Sequence, residues 1–351
     1  MGISYSQITS WLYVGDAESC TKTDAKAIIH VFRSDVSPSQ ERDCKRCGCD
    51  LRMDWKDGEA LDFSNLRNLD AFIEKIREKR CKVLVHCYAG MCRSPTVAIY
   101  LLVKLEGMTP HDARSLVTER IYQRQDAKVC NIEYKPYKQI VNLWEQQRAS
   151  KLFRDGELKA IMALNGWCSE QKAIRIAELL AGLPEKSFGL EIGVFAGRSL
   201  FAAAAGMRAS GGFVQGVDAY DAEENLRGVD TPEHRRHWPQ SVVDWAKDQM
   251  CQTMKRLGFG KWCGVVVCNS RDYLNDKELA YLHIDGNHSG EGAKSDAEMF
   301  LPWVKPGGLV LVDDTHPTKD FDGGVGEAVK VVEASCTLTE DYGTWRVYKR
   351  N

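Results

Sequence analysis

Residues 86–94 read His-Cys-Tyr-Ala-Gly-Met-Cys-Arg-Ser, a run whose side chains together could bind and attack a phosphate group. The run follows the apolar segment 82–86 and precedes a helical pattern, so its amides and the positive end of the helix can face an anion. Arg93 supplies a planar fork for two phosphate oxygens. The same positive groups would lower the pKa of the Cys87 thiol and make it a thiolate nucleophile, and Gly90 lets the loop turn where a Cβ would crowd it.

The motif resembles the His-Cys-x5-Arg-Ser/Thr signature of cysteine-dependent phosphatases. The segments ITSWLYVGD and KVLVHCYAGMCRSPTVAIYLL are similar to the dual-specificity branch of that family, and the resemblance covers about residues 5–148. It implies that Cys87 forms a phosphocysteine, that Arg93 holds the phosphoryl oxygens and that Ser94 helps the thiolate to leave. His86 and Ser94 also favour this family over rhodanese-like sulfur transferases, which use a cysteine loop as well.

The reaction also needs an acid that protonates the leaving oxygen, and this family takes it from an aspartate in a loop after a strand. The segment LRMDWKDGEALD offers Asp54, Asp57 and Asp62. Asp57 lies just past the predicted strand and 30 residues before Cys87, which is where the family places the acid. We therefore predict Asp57 as the general acid and keep Asp54 as the alternative.

The substrate class is suggested by the loop residues between Cys87 and Arg93, which carry no charge. Phosphoinositide phosphatases of this fold usually place Lys or Arg there, so the resemblance favours a phosphoprotein or another simple phosphomonoester. A phosphate-reading module that lacks turnover is the alternative from a different functional class. Cys44, Cys47 and Cys49 have no second pair of ligands for a zinc site, and their role is left open.

A second set of residues could bind a methyl donor. The run EIGVFAGRS has Glu191 at the end of a strand and Gly193 and Gly197 in the turn before a helix, which lets a ligand approach the backbone closely. Asp218 ends the next predicted strand, where a carboxylate can accept hydrogen bonds from two ribose hydroxyls. Farther along, HIDGNH ends another strand, and KPGGLVLVDDTH supplies a turn, a strand and two carboxylates.

Together these segments resemble class I S-adenosylmethionine-dependent methyltransferases over about residues 156–350. The run from HIDGNH to LVDD is especially similar to the group that includes antibiotic-sugar O-methyltransferases and cephalosporin-hydroxylase-like enzymes. The turn lacks the middle glycine of the common pattern, and a nicotinamide-binding Rossmann domain is the rival interpretation. The resemblance implies donor contacts along the strand ends: Glu191, Gly193 and Gly197 at the methionine end, Asp218 on the ribose, Asn269, Ser270 and Arg271 at the adenine, and Asp285.

Three carboxylates, Asp285, Asp313 and Asp314, end adjacent predicted strands and have no Lys or Arg within three residues along the chain. Without a partner they would repel one another, and Mg2+ is a hard cation that oxygen ligands hold. Metal-dependent O-methyltransferases place acids at these points. We therefore predict a Mg2+ site that acidifies an acceptor hydroxyl, with His288 or His316 as general base. The charged segment Asp221–Gln240, which contains Trp238, is expected to line the acceptor site.

The elements that must position these residues alternate between strand and helix in both halves of the chain. Such alternation predicts an α/β fold of two doubly wound domains, a phosphatase-like domain at 1–150 and a methyltransferase-like domain at 151–351. The second half is expected to end in a hairpin. The clearest predicted strands lie near residues 51–56, 82–86, 213–217, 264–268, 281–284 and 309–312.

Length and composition agree with this interpretation. A chain of 351 residues fits two domains, and a net charge of -2 argues against a nucleic-acid binder, so RNA 5′-end processing is kept only as an alternative. No apolar stretch approaches the ~20 residues that cross a bilayer. The 13 cysteines are expected as free thiols in a cytoplasmic protein. The sequence thus predicts a bifunctional enzyme with an unidentified methyl acceptor.

Overall fold

The computed structural model describes residues 5–16, 18–19, 22–32, 50–56, 59–87, 90, 92–123, 132, 134–228, 232–315 and 324–351. The chain divides into two compact units, Met1–Gln147 and Arg148–Asn351. Each unit has its own sheet and its own buried apolar core. The predicted α/β class is confirmed, since strands and helices alternate through both units.

Among the described residues, five strands form the sheet of the N-terminal unit: β1 (Tyr5–Gln7), β2 (Leu12–Gly15), β3 (Ala27–Phe32), β4 (Asp50–Asp54) and β5 (Val83–His86). They lie in the order β1-β2-β5-β3-β4, and all neighbours are parallel except β1 and β2. The helices of this part of the chain are α1 (Phe63–Lys79), α2 (Arg93–Glu106), α3 (Pro110–Tyr122) and α4 (Tyr134–Leu152).

The central strand β5 is buried along its whole length, which explains its unbroken apolar sequence VLVH. Helix α2 follows β5 and is buried from Arg93 to Val103, so packing fixes the position of its first turn. Helix α1 begins after Asp62, whose side chain accepts the Asn65 N–H at 2.7 Å. Asp62, one of the three candidate acids, is therefore a helix cap.

In the part of the C-terminal unit that the structure describes, seven strands form the sheet: β6 (Phe188–Ile192), β7 (Phe213–Asp218), β8 (Cys263–Val267), β9 (Leu279–Ile284), β10 (Val304–Asp313), β11 (Cys336–Asp341) and β12 (Trp345–Arg350). The accompanying helices are α5 (Glu157–Met162), α6 (Glu170–Ala181), α7 (Arg198–Ser210), α8 (Ala222–Leu226), α9 (Pro232–His237), α10 (Gln240–Leu257), α11 (Gly290–Phe300) and α12 (Gly324–Glu333).

The strand order β11-β12-β10-β9-β6-β7-β8 places a switch point between β6 and β9. From β6 the chain continues outward through β7 and β8, and it then returns to the other side of β6 as β9. Ligands of open parallel sheets bind in the crevice at the carboxyl ends of such strands. The predicted hairpin is confirmed as β11 and β12, which pair antiparallel at one edge.

None of the helices that the structure describes is both long and apolar enough to cross a bilayer.

Candidate active sites

The first candidate site lies between β5 and α2. Cys87 follows the last residue of β5 and is only 2% exposed. Its Sγ accepts the Gly90 N–H at 3.3 Å and lies 3.2 Å from the Ser94 Oγ. These two contacts fix the position of the Cys87 sulfur within the loop.

The same loop is packed against the end of β2. Gly90 has a φ of +70°, and a Cβ at this position would lie 2.8 Å from the Gly15 carbonyl carbon, so glycine is required. The Gly15 carbonyl accepts the Cys87 N–H at 3.4 Å and lies 3.4 Å from the Ser94 Oγ. Because the Ser94 hydroxyl has a single proton, it can donate either to Gly15 or to the Cys87 sulfur.

Arg93, the first residue of α2, connects this loop to the segment that carries the predicted acid. Its Nη1 donates to the Trp55 carbonyl at 3.2 Å, and the Trp55 indole N–H donates to the Glu59 carbonyl at 2.9 Å. Asp57 lies between Trp55 and Glu59, outside the described residues, as do Cys44, Cys47 and Cys49. The alternative acid, Asp54, is the last residue of β4.

His86, the last residue of β5, contacts a residue that the sequence analysis missed. Its Nε2 lies 2.8 Å from the Nδ1 of His30 on β3, and both imidazoles are buried. Burial, with a smaller contribution from His30, lowers the pKa of His86 to about 3, so that this ring is neutral at pH 7. The available signal was the single polar residue in the apolar run AIIHVF.

The second candidate site lies at the switch point of the C-terminal sheet. The turn between β6 and α7 begins at Gly193, which has a φ of +86°, and a Cβ there would lie 1.9 Å from the carbonyl oxygen of Asp285. The turn ends at Gly197, the N-cap of α7. Only glycine lets the turn approach the end of β9 this closely.

Asp218, the last residue of β7, holds this turn in place. Its Oδ2 accepts the N–H groups of Val194 and Phe195 at 2.8 and 2.9 Å, and its Oδ1 accepts the Tyr220 N–H at 2.8 Å. Phe195 has a φ of +48°, a conformation that costs free energy for a residue with a side chain. The carboxylate thus stabilises a strained turn, and its remaining lone pair can still accept a ribose hydroxyl.

Glu191 is fully buried beneath the turn, which argues against a direct contact with a donor molecule. Its Oε1 accepts the Ser199 hydroxyl at 2.7 Å, and its Oε2 lies 3.3 Å from the Nδ1 of His283 on β9. The Nε2 of His283 lies 2.7 Å from the Oδ2 of Asp313. Burial alone would lower the pKa of His283, but hydrogen bonds to Asp313 and Glu191 raise it to about 10.

Asp313 also accepts a hydrogen bond from the buried Lys172 of α6. The expectation that the three carboxylates lack a basic partner is therefore wrong for Asp313. Burial by itself would raise the pKa of Asp313, but Lys172 and His283 hold it well below its usual value. Lys172 and Asp313 are 141 residues apart, so no local sequence pattern identifies the pair.

The other two carboxylates converge with a histidine. The Nε2 of His288 lies 3.1 Å from the Oδ2 of Asp314 and 3.9 Å from the Oδ1 of Asp285. Potential ligand atoms of all three residues lie within 4.8 Å of one another. Asp314 has a φ of +51°, a strained conformation of the kind found at functional sites. Burial and the neighbouring Asp313 raise the pKa of Asp285, which means that the negative charge of this carboxylate is unfavourable there. A bound cation would stabilise the ionised carboxylate.

The residues predicted to contact adenine are held by two helices. The Ser270 hydroxyl donates to the Oδ1 of Asp296 on α11 at 2.6 Å. Asn269 and Arg271 both donate to the Oε2 of Glu224 on α8, at 2.6 and 3.1 Å. Burial raises the pKa of Asp296 to about 6. His316, the second candidate base, lies outside the described residues.

Three aromatic rings meet beside the turn. The ring centroids of Trp167 lie 5.4 Å from those of Phe195 and 5.5 Å from those of Trp238. Trp167 is 73% exposed. The guanidinium of Arg198 fixes the segment before Trp167 by donating to the carbonyls of Met162 and Leu164 at 2.9 and 2.7 Å. Trp238 belongs to the segment predicted to line the acceptor site.

Family models match both units. Residues 11–147 match the dual specificity phosphatase catalytic domain, and residues 190–315 match a methyltransferase domain. The chain is 30% identical over 118 residues to the human dual specificity protein phosphatase 5, a match that covers 32% of this chain and 30% of that relative. It is 45% identical over 49 residues to the human dual specificity protein phosphatase 8, covering 14% of this chain and 8% of the relative. The chain thus spans less than a third of the length of these relatives.

Two solved structures are similar to parts of the chain. The human tyrosine phosphatase-like serine/threonine/tyrosine-interacting protein is 22% identical with a TM-score of 0.34, over 42% of this chain and 98% of that one. The cofactor-bound Rv0187 from MTB is 15% identical with a TM-score of 0.40, over 60% of this chain and 96% of that one.

Proposed function

We propose that this chain, which contains a dual specificity phosphatase catalytic domain followed by a methyltransferase domain, is a bifunctional enzyme. The N-terminal unit hydrolyses a phosphomonoester through Cys87, and the C-terminal unit transfers a methyl group from S-adenosylmethionine. The observation that carries the first activity is the buried Cys87 sulfur, which accepts the Gly90 N–H beside the Ser94 hydroxyl.

Hydrolysis proceeds in two displacements at phosphorus. The Cys87 thiolate forms the S–P bond while the P–O bond to the leaving group breaks, and Asp57 gives its proton to the leaving oxygen. Arg93 binds the equatorial phosphoryl oxygens. Water then forms a new P–O bond as the S–P bond breaks, Asp57 takes the proton from the water, and the Ser94 hydroxyl hydrogen-bonds the departing thiolate.

The proposed substrate is a phosphoprotein or another simple phosphomonoester. Between Cys87 and Arg93 the loop contributes no charged side chain that would recognise additional phosphate groups.

Asp57→Asn is expected to slow hydrolysis of alkyl phosphates by about 10²-fold, because an amide cannot protonate the leaving oxygen. Aryl phosphates with good leaving groups should be affected less, since they leave without a proton. Steady-state rates for a series of leaving groups measure the difference. Asp54→Asn is the matched control. If Asp54→Asn shows this dependence on the leaving group and Asp57→Asn does not, the general acid is Asp54 at the end of β4.

The methyltransferase half is supported by the strained turn that Asp218 holds at the switch point of the sheet. When bound there, S-adenosylmethionine supplies a methyl group on a sulfonium centre. We propose that Gly193 and Gly197 let the backbone approach the donor, that Asp218 accepts one of its ribose hydroxyls and that the Ser270 segment contacts its adenine. The methyl acceptor is proposed to bind against the aromatic rings of Trp167, Phe195 and Trp238.

Oxygen is the proposed site of methylation. Asp285 and Asp314 offer two carboxylates that fit a divalent cation, which we propose to be Mg2+, beside the His288 imidazole. A cation held there would acidify an acceptor hydroxyl. His288 is within hydrogen-bond distance of Asp314, so the same imidazole can orient that carboxylate or take the acceptor proton.

Asp218→Ala is expected to weaken S-adenosylmethionine binding by about 10²-fold, because a ribose hydroxyl of the donor loses a charged acceptor whose hydrogen bond contributes about 1.5–3 kcal/mol. Calorimetric titration of the full chain measures the change. Asp248→Ala, at an exposed position of α10, is the control. Unchanged S-adenosylmethionine binding by the Asp218→Ala variant would show that the turn is not part of the donor site. Tight binding of NAD by the wild type would favour a nicotinamide-binding domain.

A further inference from the structure

The Ser270 hydroxyl lies at the edge of the C-terminal sheet where the methyl donor is proposed to bind. The strands β6, β7 and β8 are parallel neighbours, so the segments that follow them line one edge. The N–H of Cys268, the residue after β8, donates to the carbonyl oxygen of Asp218 at 3.2 Å. Ser270 follows two residues later and is half-buried. A nucleoside with its ribose at Asp218 can therefore place its base beside Ser270, one strand or about 4.8 Å farther along.

Asp296 of α11 controls the direction of the Ser270 hydroxyl. The Ser270 Oγ donates to the Oδ1 of Asp296 at 2.6 Å, and Asp296 is only 4% exposed. The backbone after β9 packs against the same carboxylate, since a Cβ at Gly286 would lie 3.1 Å from its Oδ2. Burial raises the pKa of Asp296 to about 6, so most of the carboxylate is ionised at pH 7. Asp296 is thus a buried acceptor in a fixed position.

The hydrogen bond between these two side chains has one direction, because an ionised carboxylate has no proton to give. Ser270 must donate, and its hydroxyl has a single proton. The lone pairs of the Ser270 Oγ remain, and they can only accept. Beside a purine, such an oxygen favours the amino group of adenine, which donates. It disfavours the carbonyl oxygen that guanine or hypoxanthine carries at the same position, which also accepts.

We propose that Asp296 is a positioning residue that fixes the Ser270 hydroxyl as an acceptor and thereby makes the donor site selective for adenine over purines with a carbonyl oxygen. A carbonyl oxygen facing the Ser270 Oγ would bring two acceptors together with no proton between them, which is unfavourable in a partly buried site. This inference rests on the proposed methyltransferase function for the position of the base, and it adds the reason why one base is preferred.

The test compares S-adenosylhomocysteine with S-inosylhomocysteine, in which a carbonyl oxygen replaces the amino group of the base, by calorimetric titration of the full chain. The wild type should bind the adenosyl compound at least about tenfold more tightly. Asp296→Asn should reduce this preference about tenfold, because the amide can donate to the Ser270 Oγ and free the hydroxyl proton for a carbonyl oxygen. Asp272→Asn, at an exposed position two residues after Ser270, is the control and should keep the wild-type preference.

Ser270→Ala separates this role from a general structural one. The variant should lose the preference, and Asp296→Asn added to it should change the ratio of the two affinities by less than about twofold, since no hydroxyl is left to orient. An unchanged ratio in Asp296→Asn, or in Ser270→Ala where the first variant does not fold, would overturn the proposal. Equal binding of both nucleosides by the wild type would also overturn it and leave the proposed donor site intact. Binding of neither would refute the proposed methyltransferase function as well.

Discussion

Cys87→Ser is expected to reduce hydrolysis of aryl phosphates by at least about 10³-fold, since a serine hydroxyl is not ionised at neutral pH and removal of a nucleophile eliminates the covalent pathway. The wild-type protein should hydrolyse these substrates in the presence of chelator, because neither displacement in the N-terminal unit uses a metal. Initial rates with a chromogenic aryl phosphate measure both effects. The fold should be preserved, since the two side chains are nearly isosteric in a loop held by Gly15 and Gly90.

Cys81→Ser provides the matched control, because Cys81 precedes β5 by two residues and is a free thiol outside the loop. Its activity should match that of the wild type. Full activity in Cys87→Ser would rule out Cys87 as the nucleophile. If the wild-type protein binds a phosphorylated ligand and Cys87→Ser retains it, with no turnover by either, the unit is a phosphate-reading module.

Removal of divalent cations is expected to reduce methyl transfer by about 10³-fold, the rate equivalent of about 4 kcal/mol of Lewis-acid stabilisation, and Mg2+ should restore it. Binding of S-adenosylmethionine should survive the chelator, because the cation serves the acceptor. Transfer of a labelled methyl group to components of a cell extract, followed by mass spectrometry, measures the activity and identifies the acceptor in the same experiment.

Asp314→Asn should reproduce the effect of the chelator and weaken calorimetric binding of Mg2+, since an amide lacks the negative charge that attracts the cation. Asp341→Asn, at an exposed position of β11, is the control. Methyl transfer that continues undiminished in excess chelator would exclude the cation and leave His288 and His316 as the candidates for activating the acceptor.

Much of the N-terminal site could be predicted because it is local. Cys87, Gly90 and Ser94 lie within eight residues of one another, so a strand, a loop and a helix bring them together whatever surrounds them. The hydrophobic pattern predicted β5 and α2, and the structure confirms both. The same holds for the turn from Gly193 to Gly197, since a glycine-rich run between a strand and a helix needs no distant residue to be recognised.

The partners of buried charges could not be predicted, because they come from distant parts of the chain. Lys172 reaches Asp313 from α6, and His283 joins Asp313 to Glu191 across neighbouring strands. A search for basic residues within three positions of Asp313 in the sequence does not find a neighbour that is so distant along the chain. Asp313 contacts Lys172 and His283, and the structure brings Asp285 together with His283 and Asp313 on one side and with His288 and Asp314 on the other.

The sequence by itself predicted the two domain classes whose family models match the chain, the loop from Cys87 to Arg93 and the turn from Gly193 to Gly197, because these depend on residue types at short spacing. Only the tertiary structure showed which side chains contact the carboxylates at the strand ends. It also placed His30 beside His86, 56 residues away in the sequence. The physical reason is that the chemistry of a buried polar group depends on the groups that replace its water. The order of the strands in the sheet determines which groups these are. A local sequence pattern contains no information about that order.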